Sequence, residues 1–298
     1  MKVLAVIGTS TDTPKVTESL VEYLTEQGEV GVLTRGDELP TSDGGQPPVQ
    51  GHHSGERGEG STSRYPREIQ RTYQLSGGGG WVGGGDSLSI SDALDELART
   101  CDYAVVEGFR NVDLPTVLVG EQADEEDVSD GQSGEVLAHV TSSADLDVES
   151  VVAALADVDP YETLESLVAR VKQSNDEDRA GAIATFTGRV RAKDDEDDDR
   201  TEFLEFERYD SVAAEKMATI REELEARDGV YEVRLHHKTG VVEAGEDIVF
   251  VVVLAGHREE AFQTVRDGIN RLKDEVPLFK KEVTETDEFW VQTGELEQ

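Results

Sequence analysis

The first half of the chain alternates apolar, strand-like runs with helix-like segments, and this order most restricts its fold. Val3 to Ile7 is a continuous apolar run, which is typical of a parallel strand buried on both faces. Val16 to Gln27 has helical spacing of its apolar residues and is followed by Gly28. Further strand and helix signals continue to the segment Val148 to Ala156. Repeated units of this kind predict an α/β fold with a mostly parallel sheet covered by helices.

A domain boundary is predicted near Asp157, so that residues 1–157 and 158–298 form separate domains. The second half has strand signals at Phe203 to Phe206 and Val230 to His236, and a buried apolar run from Ile248 to Leu254. Segments with helical spacing of their apolar residues lie between these strands, without a regular alternation of strand and helix. We therefore expect an α+β domain in the second half.

The net charge restricts the partners of the protein. The formal net charge is −37 at pH 7, and acidic residues are spread over both halves. Such a surface repels the phosphates of nucleic acids and anionic lipids, so neither is an expected partner. It is typical of a halophilic protein, whose carboxylates stay hydrated while salt screens their repulsion. No apolar stretch approaches the roughly 20 residues of a membrane span, and we expect a cytoplasmic location.

Cysteine and histidine give no sign of a metal site. Cys101 is the single cysteine, which excludes an internal disulfide and a cysteine-only metal site. It opens a predicted strand, where a structural role is favoured over a reactive thiol. His52 and His53 lie in a long loop rich in Gly, Ser and Pro, and we interpret them as bystanders rather than ligands.

Five cations gather around one strand–helix–turn unit of the second half. They are His257, Arg258, Lys273, Lys280 and Lys281. His257 and Arg258 stand where a buried strand meets a helix, and free N–H groups at such a point favour an anion. The alternative is that the cations pair only with neighbouring carboxylates. In so acidic a chain, the cluster favours an anion-binding site.

Several separated motifs occur in order in the second half. They are Gly181 to Arg191, Leu204 to Tyr209, His237 to Gly240, Ala255 to Arg258, and Leu272 to Glu282. Together they resemble the large, catalytic subunit of molybdopterin synthase over about 135 residues. The resemblance implies a hammerhead-like α+β domain and a role in molybdenum cofactor biosynthesis. It differs at one point, because Trp290-Val291 is followed by Gln292 where an arginine is expected.

The resemblance implies a sulfurtransferase. A small ubiquitin-like partner would insert its C-terminal Gly-Gly thiocarboxylate, and two sulfurs would pass to cyclic pyranopterin monophosphate to form the dithiolene of molybdopterin. Lys273 and Lys280 would be the catalytic lysines. Arg191, His257 and Arg258 would bind the substrate phosphate and the thiocarboxylate, and Lys281 joins this basic set. The family also implies a homodimer through the second half, with no cofactor required for the transfer.

The first half contains a degenerate phosphate-binding loop after its first strand. Gly8 is in register with the G-x-x-x-x-G-K-[ST] pattern, but Thr13 replaces the second glycine and Lys15 falls one position late. The segment Tyr103 to Arg110 resembles the GTP-binding adaptor of molybdopterin-guanine dinucleotide biosynthesis. If GTP and Mg²⁺ bind, the resemblance points to Gly8, Lys15, Thr17 and Glu107. The altered loop favours weakened or lost binding.

Two functions from different classes remain open from the sequence. The first is the molybdopterin synthase enzyme described above. The alternative is a non-catalytic adaptor of the same pathway that binds GTP or a cofactor intermediate. The intact basic motifs beside an altered phosphate loop favour the enzyme.

Overall fold

A computed structural model describes most of the chain. The described residues are 1–8, 10–35, 71–75, 81–85, 88–109, 112–120, 134–193, 195, 198–208, 210–284 and 288–292. The chain divides into two compact units, Met1–Tyr161 and Glu162–Gln298. The loop at 37–64 with His52 and His53 lies outside the described residues, as does the acidic segment at 121–133.

The first unit is built on a five-stranded parallel sheet. Its elements are β1 (Lys2–Gly8), α1 (Thr13–Thr25), β2 (Val30–Thr34), β3 (Arg71–Leu75), β4 (Trp81–Gly85), α2 (Ile90–Ala98), β5 (Tyr103–Glu107), β6 (Thr116–Val119), β7 (Val136–Val140) and α3 (Val148–Asp157). The strand order is β2-β5-β1-β6-β7, and every pair is parallel.

Helices cover both faces of this sheet, which explains the continuous apolar run of β1. Leu4 and Val6 pack against α1 and α3, whereas Val3 packs against α2 on the opposite face. Each fully buried side chain of this size stabilises the fold by about 1.5–3 kcal/mol. The α/β prediction for this half is confirmed.

The sequence did not predict strands β3 and β4 of the first unit. The glycine tract around Trp81 gave no strand signal, but β3 and β4 pair as a two-stranded antiparallel sheet. Glycine has low strand propensity, so only the pairing with β3 shows that Gly83 to Gly85 are extended.

The second unit combines two antiparallel sheets with three helices. Its elements are α4 (Leu164–Val171), β8 (Ala182–Arg189), β9 (Thr201–Arg208), α5 (Asp210–Glu225), β10 (Val230–His237), β11 (Gly240–Glu243), β12 (Asp247–Ala255), α6 (Arg258–Glu275), β13 (Leu278–Thr284) and β14 (Glu288–Gln292). The sheet orders are β10-β12-β8 and β11-β9-β13-β14. The α+β prediction is confirmed, although β11, β13 and β14 were not predicted.

The central strand β12 anchors this unit, since α4 packs on one of its faces and α5 and α6 pack on the other. Phe250 and Val252 contact the α4 side, while Val251 and Val253 belong to the core that includes Leu272 of α6. The four-stranded sheet adds its inward residues to the latter core. Among all the described residues, no helix is long and apolar enough to cross a bilayer.

Candidate active site

Helix α6 and the turn after it determine the position of Lys273. The buried face of α6 includes Val265, Ile269 and Leu272, so the helix lies along the three-stranded sheet. Lys273 follows Leu272 in the last turn and is exposed. Pro277 follows the helix and cannot continue it, and the chain then enters β13.

Lys280 lies on the inward face of β13. Side chains alternate along a strand, so Lys280 shares this face with the buried Leu278 and with Glu282. Across the ladder, Lys280 pairs with the buried Phe206 of β9. Only 20% of the Lys280 side chain is exposed, and its Nζ lies 3.6 Å from Glu282 Oε2. A half-buried ammonium of this kind is attractive to a second anion because it is poorly hydrated.

A continuous set of contacts joins Lys280 to the neighbourhood of Arg191. Thr201 Oγ1 donates a hydrogen bond to Glu282 Oε1 at 2.5 Å. The backbone N–H of Thr201 donates to the carbonyl of Ala192 at 2.9 Å. Arg191 precedes Ala192 and has an exposed side chain. The structure therefore brings Arg191 and Lys280 to the same end of the unit.

Lys281 points to the opposite face of β13 from Lys280, so the structure does not bring these two members of the basic set together. Its Nζ forms an ion pair with Glu288 Oε2 at 2.9 Å. The hydrogen bond that Lys281 donates to Glu288 raises the pKa of Lys281, and the charges of Glu205 and Glu207 add to the effect. Strand alternation thus separates two lysines that are adjacent in the sequence.

His257 and Arg258 lie at the other end of the three-stranded sheet. Strand β8 is antiparallel to β12, and its first residue pairs with Ala255 while Arg189 pairs with Asp247. The length of β12 therefore separates Arg191 from His257 by about 26 Å. Along α6, Arg258 and Lys273 are about 22 Å apart. The cations that the sequence assigned to one anion-binding site are therefore not all brought together within one chain, because these elements run antiparallel.

His237 is a buried residue near Lys280 to which the sequence analysis gave no role. Its ring makes an edge-to-face contact with Phe206, with centroids 4.9 Å apart. Its Nδ1 donates to the carbonyl of Lys238 at 2.7 Å, which fixes the ring orientation. The only sequence signal was its place in the quoted motif His237 to Gly240. His237 supports the aromatic side chain that faces Lys280.

The candidate nucleotide-binding residues of the first unit lie at the carboxyl edge of its parallel sheet. Gly8 ends β1 and Glu107 ends β5. Lys15 Nζ donates to Asp12 Oδ1 at 2.6 Å. The buried hydroxyl of Thr17 donates to a carbonyl one turn earlier in α1. The side chains of both Lys15 and Thr17 therefore donate hydrogen bonds to other residues of the chain.

No group of three or more histidine, cysteine or acidic side chains among the described residues could hold a metal ion. Gln292, which replaces an expected arginine, is in β14 opposite Phe279.

Comparisons with known proteins agree with the motifs of the second unit. The family described as MoaE protein matches residues 157–275. A probable molybdopterin synthase of Haloferax volcanii is 54% identical over 224 residues, which cover 75% of this chain and 82% of that protein. Because the second unit comprises only residues 162–298, this alignment must extend well into the first unit.

Two further matches each cover about half of the chain. The molybdopterin synthase catalytic subunit of Pyrococcus abyssi is 36% identical over 129 residues, which cover 43% of this chain and 83% of that protein. The structure of MobB from Bacillus subtilis covers 54% of this chain and 100% of that chain, with 16% sequence identity and a TM-score of 0.35. Given the identity and coverage of its Haloferax relative, the chain belongs to the molybdopterin synthase family, whose enzymes act in molybdenum cofactor biosynthesis.

Proposed function

We propose that the second unit transfers sulfur from a small partner protein to cyclic pyranopterin monophosphate and so forms the dithiolene of molybdopterin. The partner carries the sulfur as a C-terminal Gly-Gly thiocarboxylate. The chain has a single cysteine, Cys101, and it lies in the first unit. This agrees with sulfur that arrives on the partner and is not relayed by this chain.

The observation that carries the proposal is the half-buried ammonium of Lys280 at the end of the unit where Arg191 and Lys273 also occur. A phosphorylated substrate and a thiocarboxylate are both anions, so their approach requires fixed positive charge. The guanidinium of Arg191 offers a planar pair of N–H donors for phosphate. Lys273 and Lys280 are the proposed catalytic residues.

In the proposed reaction, the lysines move protons while sulfur replaces oxygen on the substrate. As the thiocarboxylate sulfur adds to a substrate carbon, an oxygen leaves that carbon as water and needs a proton. A water molecule then cleaves the acyl–sulfur bond, which leaves the sulfur on the substrate and releases the partner with a C-terminal carboxylate. Lys280 is suited to donate this proton because its inward position opposite Phe206 and its ion pair with Glu282 restrict where its Nζ can lie. The hydroxyl of Thr201 holds Glu282 from the other side. Lys273 then neutralises charge that develops on the substrate.

We further propose that the active form is a homodimer in which a second copy supplies His257 and Arg258. These two residues are too far from Lys280 to act in the same chain, as β12 and α6 both separate the two ends. A two-fold interface repeats the same contacts twice, so it can join the His257 end of one copy to the Lys280 end of the other. Each dimer would then contain two identical composite sites.

The proposal is tested with substitutions of the three lysines and mass spectrometry of the pterin products. Lys273→Ala and Lys280→Ala are each expected to reduce product formation by at least about a hundredfold, since each removes a proton donor or fixed charge. Lys281→Ala is the matched control, because that lysine is adjacent in sequence but on the other face. Near-normal turnover in Lys280→Ala, with circular dichroism unchanged, would contradict the assignment.

A further inference from the structure

Two backbone N–H groups between β1 and the first turn of α1 donate hydrogen bonds to Ser10. In a phosphate-binding loop of this type, free backbone N–H groups at the start of the helix surround the phosphates. Here the N–H of Asp12 donates to Ser10 Oγ at 3.1 Å. The N–H of Thr13 donates to the carbonyl of Ser10, also at 3.1 Å. Pro14 has no N–H to offer.

The carboxylate of Asp12 takes the lysine contact that a bound phosphate would require. It accepts a 2.6 Å hydrogen bond from Lys15, the lysine of the altered motif. The Asp12 side chain is 23% exposed. It also places a negative charge at the positive end of the α1 dipole.

The space around Gly8 is closed as well. A Cβ atom built on Gly8 would lie 2.3 Å from the carbonyl oxygen of Val119 and 2.8 Å from Thr13 Oγ1. The Thr13 side chain therefore lies against Gly8, at the place where the motif has its second glycine. Thr13 is 5% exposed, and its hydroxyl has no hydrogen-bond partner within the described part of the chain. These residues do not fit the phosphates of a nucleotide.

We propose that Asp12 is the resident anion of this loop, and that the first unit does not bind a nucleoside triphosphate there. Asp12, Lys15 and the start of α1 form a closed internal arrangement in place of a ligand site. This proposal is independent of sulfur transfer by the second unit. It predicts that the full chain works without GTP.

Nucleotide binding is tested by calorimetry of the full chain with GTP and Mg²⁺ in concentrated KCl. We expect no saturable binding up to about 1 mM nucleotide. Saturable binding that is lost in Lys15→Ala would overturn the proposal. Binding that persists unchanged in Lys15→Ala would support it, since the nucleotide would then lie outside the loop.

The role of Asp12 is tested separately with inorganic phosphate. Asp12→Asn removes the charge of the resident anion, so phosphate should raise the Tm of this variant by a few degrees relative to KCl of equal ionic strength. The unchanged chain should show no such rise. Glu18→Gln, which neutralises an exposed carboxylate on the same helix, controls for the change in net charge.

Equal phosphate effects in the unchanged chain and in Asp12→Asn would overturn the assignment, and so would the absence of an effect in both. If Asp12→Asn does not fold, Asp12→Ser provides the same neutral substitution, because serine is well tolerated before the first turn of a helix.

Discussion

A dimer made of two different variants tests whether each active site takes residues from both copies or lies within one chain. Lys280→Ala removes the proposed catalytic lysine, and His257→Ala removes a residue at the other end of the unit, beyond the lengths of α6 and β12 of about 22–26 Å. Each variant alone should be nearly inactive. In a heterodimer of the two, one composite site has both residues intact and the other has neither. The expected activity is therefore about half that of the unchanged dimer.

The assay uses co-expression with two affinity tags and purification through both, so that only heterodimers are measured. Product is quantified by mass spectrometry with an excess of thiocarboxylated partner. The reciprocal control places both substitutions in one chain and pairs it with an unchanged chain. In that dimer each composite site contains one substitution, so activity should be nearly lost.

A site formed within one chain requires the opposite pattern. The heterodimer of single variants would then be as inactive as its parents, and the heterodimer with the double variant would retain about half of the activity. That pattern would refute the proposed dimeric site.

Three smaller perturbations test other parts of the second unit. Leu272→Ala removes a fully buried α6 side chain and should lower the free energy of unfolding by about 2–5 kcal/mol, measured by denaturant titration. Thr201→Val removes the hydrogen bond to Glu282 and should lower kcat while KM changes less; a raised KM with unchanged kcat would indicate a role in binding only. The hydrogen bond from Arg271 lowers the pKa of Glu275, so this pair stabilises the fold above the ordinary carboxyl pKa of about 4.5, and the stabilisation is lost as pH falls below it. The Tm difference between the unchanged chain and Glu275→Gln should therefore be present at pH 7 and shrink towards zero in acid; a difference that persists at low pH would contradict this reasoning.

The sequence predicted the strands that are buried on both faces, because their signal is local. Val3 to Ile7 and Ile248 to Leu254 are continuous apolar runs, and both form central strands. Strand β13 was not predicted, because Leu278 to Thr284 mixes charged and apolar residues with no clear alternation. Its extended form depends on pairing with β9, which is distant in the sequence.

The sequence predicted a set of candidate site residues but not their positions relative to one another in the fold. The cation cluster pointed to His257 and Lys280, and the family resemblance added Arg191. The separation of His257 from Arg191 and Lys280 follows from the antiparallel pairing of β8 and β12, which is a property of the topology. The engagement of Lys15 by Asp12 likewise depends on side-chain geometry in the loop.

The inward position of Lys280 limits how the chain between α6 and β13 can vary in length. Successive side chains of a strand point to opposite faces of the sheet. Inserting or deleting one residue near Pro277 would therefore turn the Lys280 side chain outward and an adjacent side chain inward. Lys280 and Lys281 therefore cannot replace each other, because their side chains lie on opposite faces of β13. Homologous chains should tolerate sequence changes in this turn more readily than changes in its number of residues.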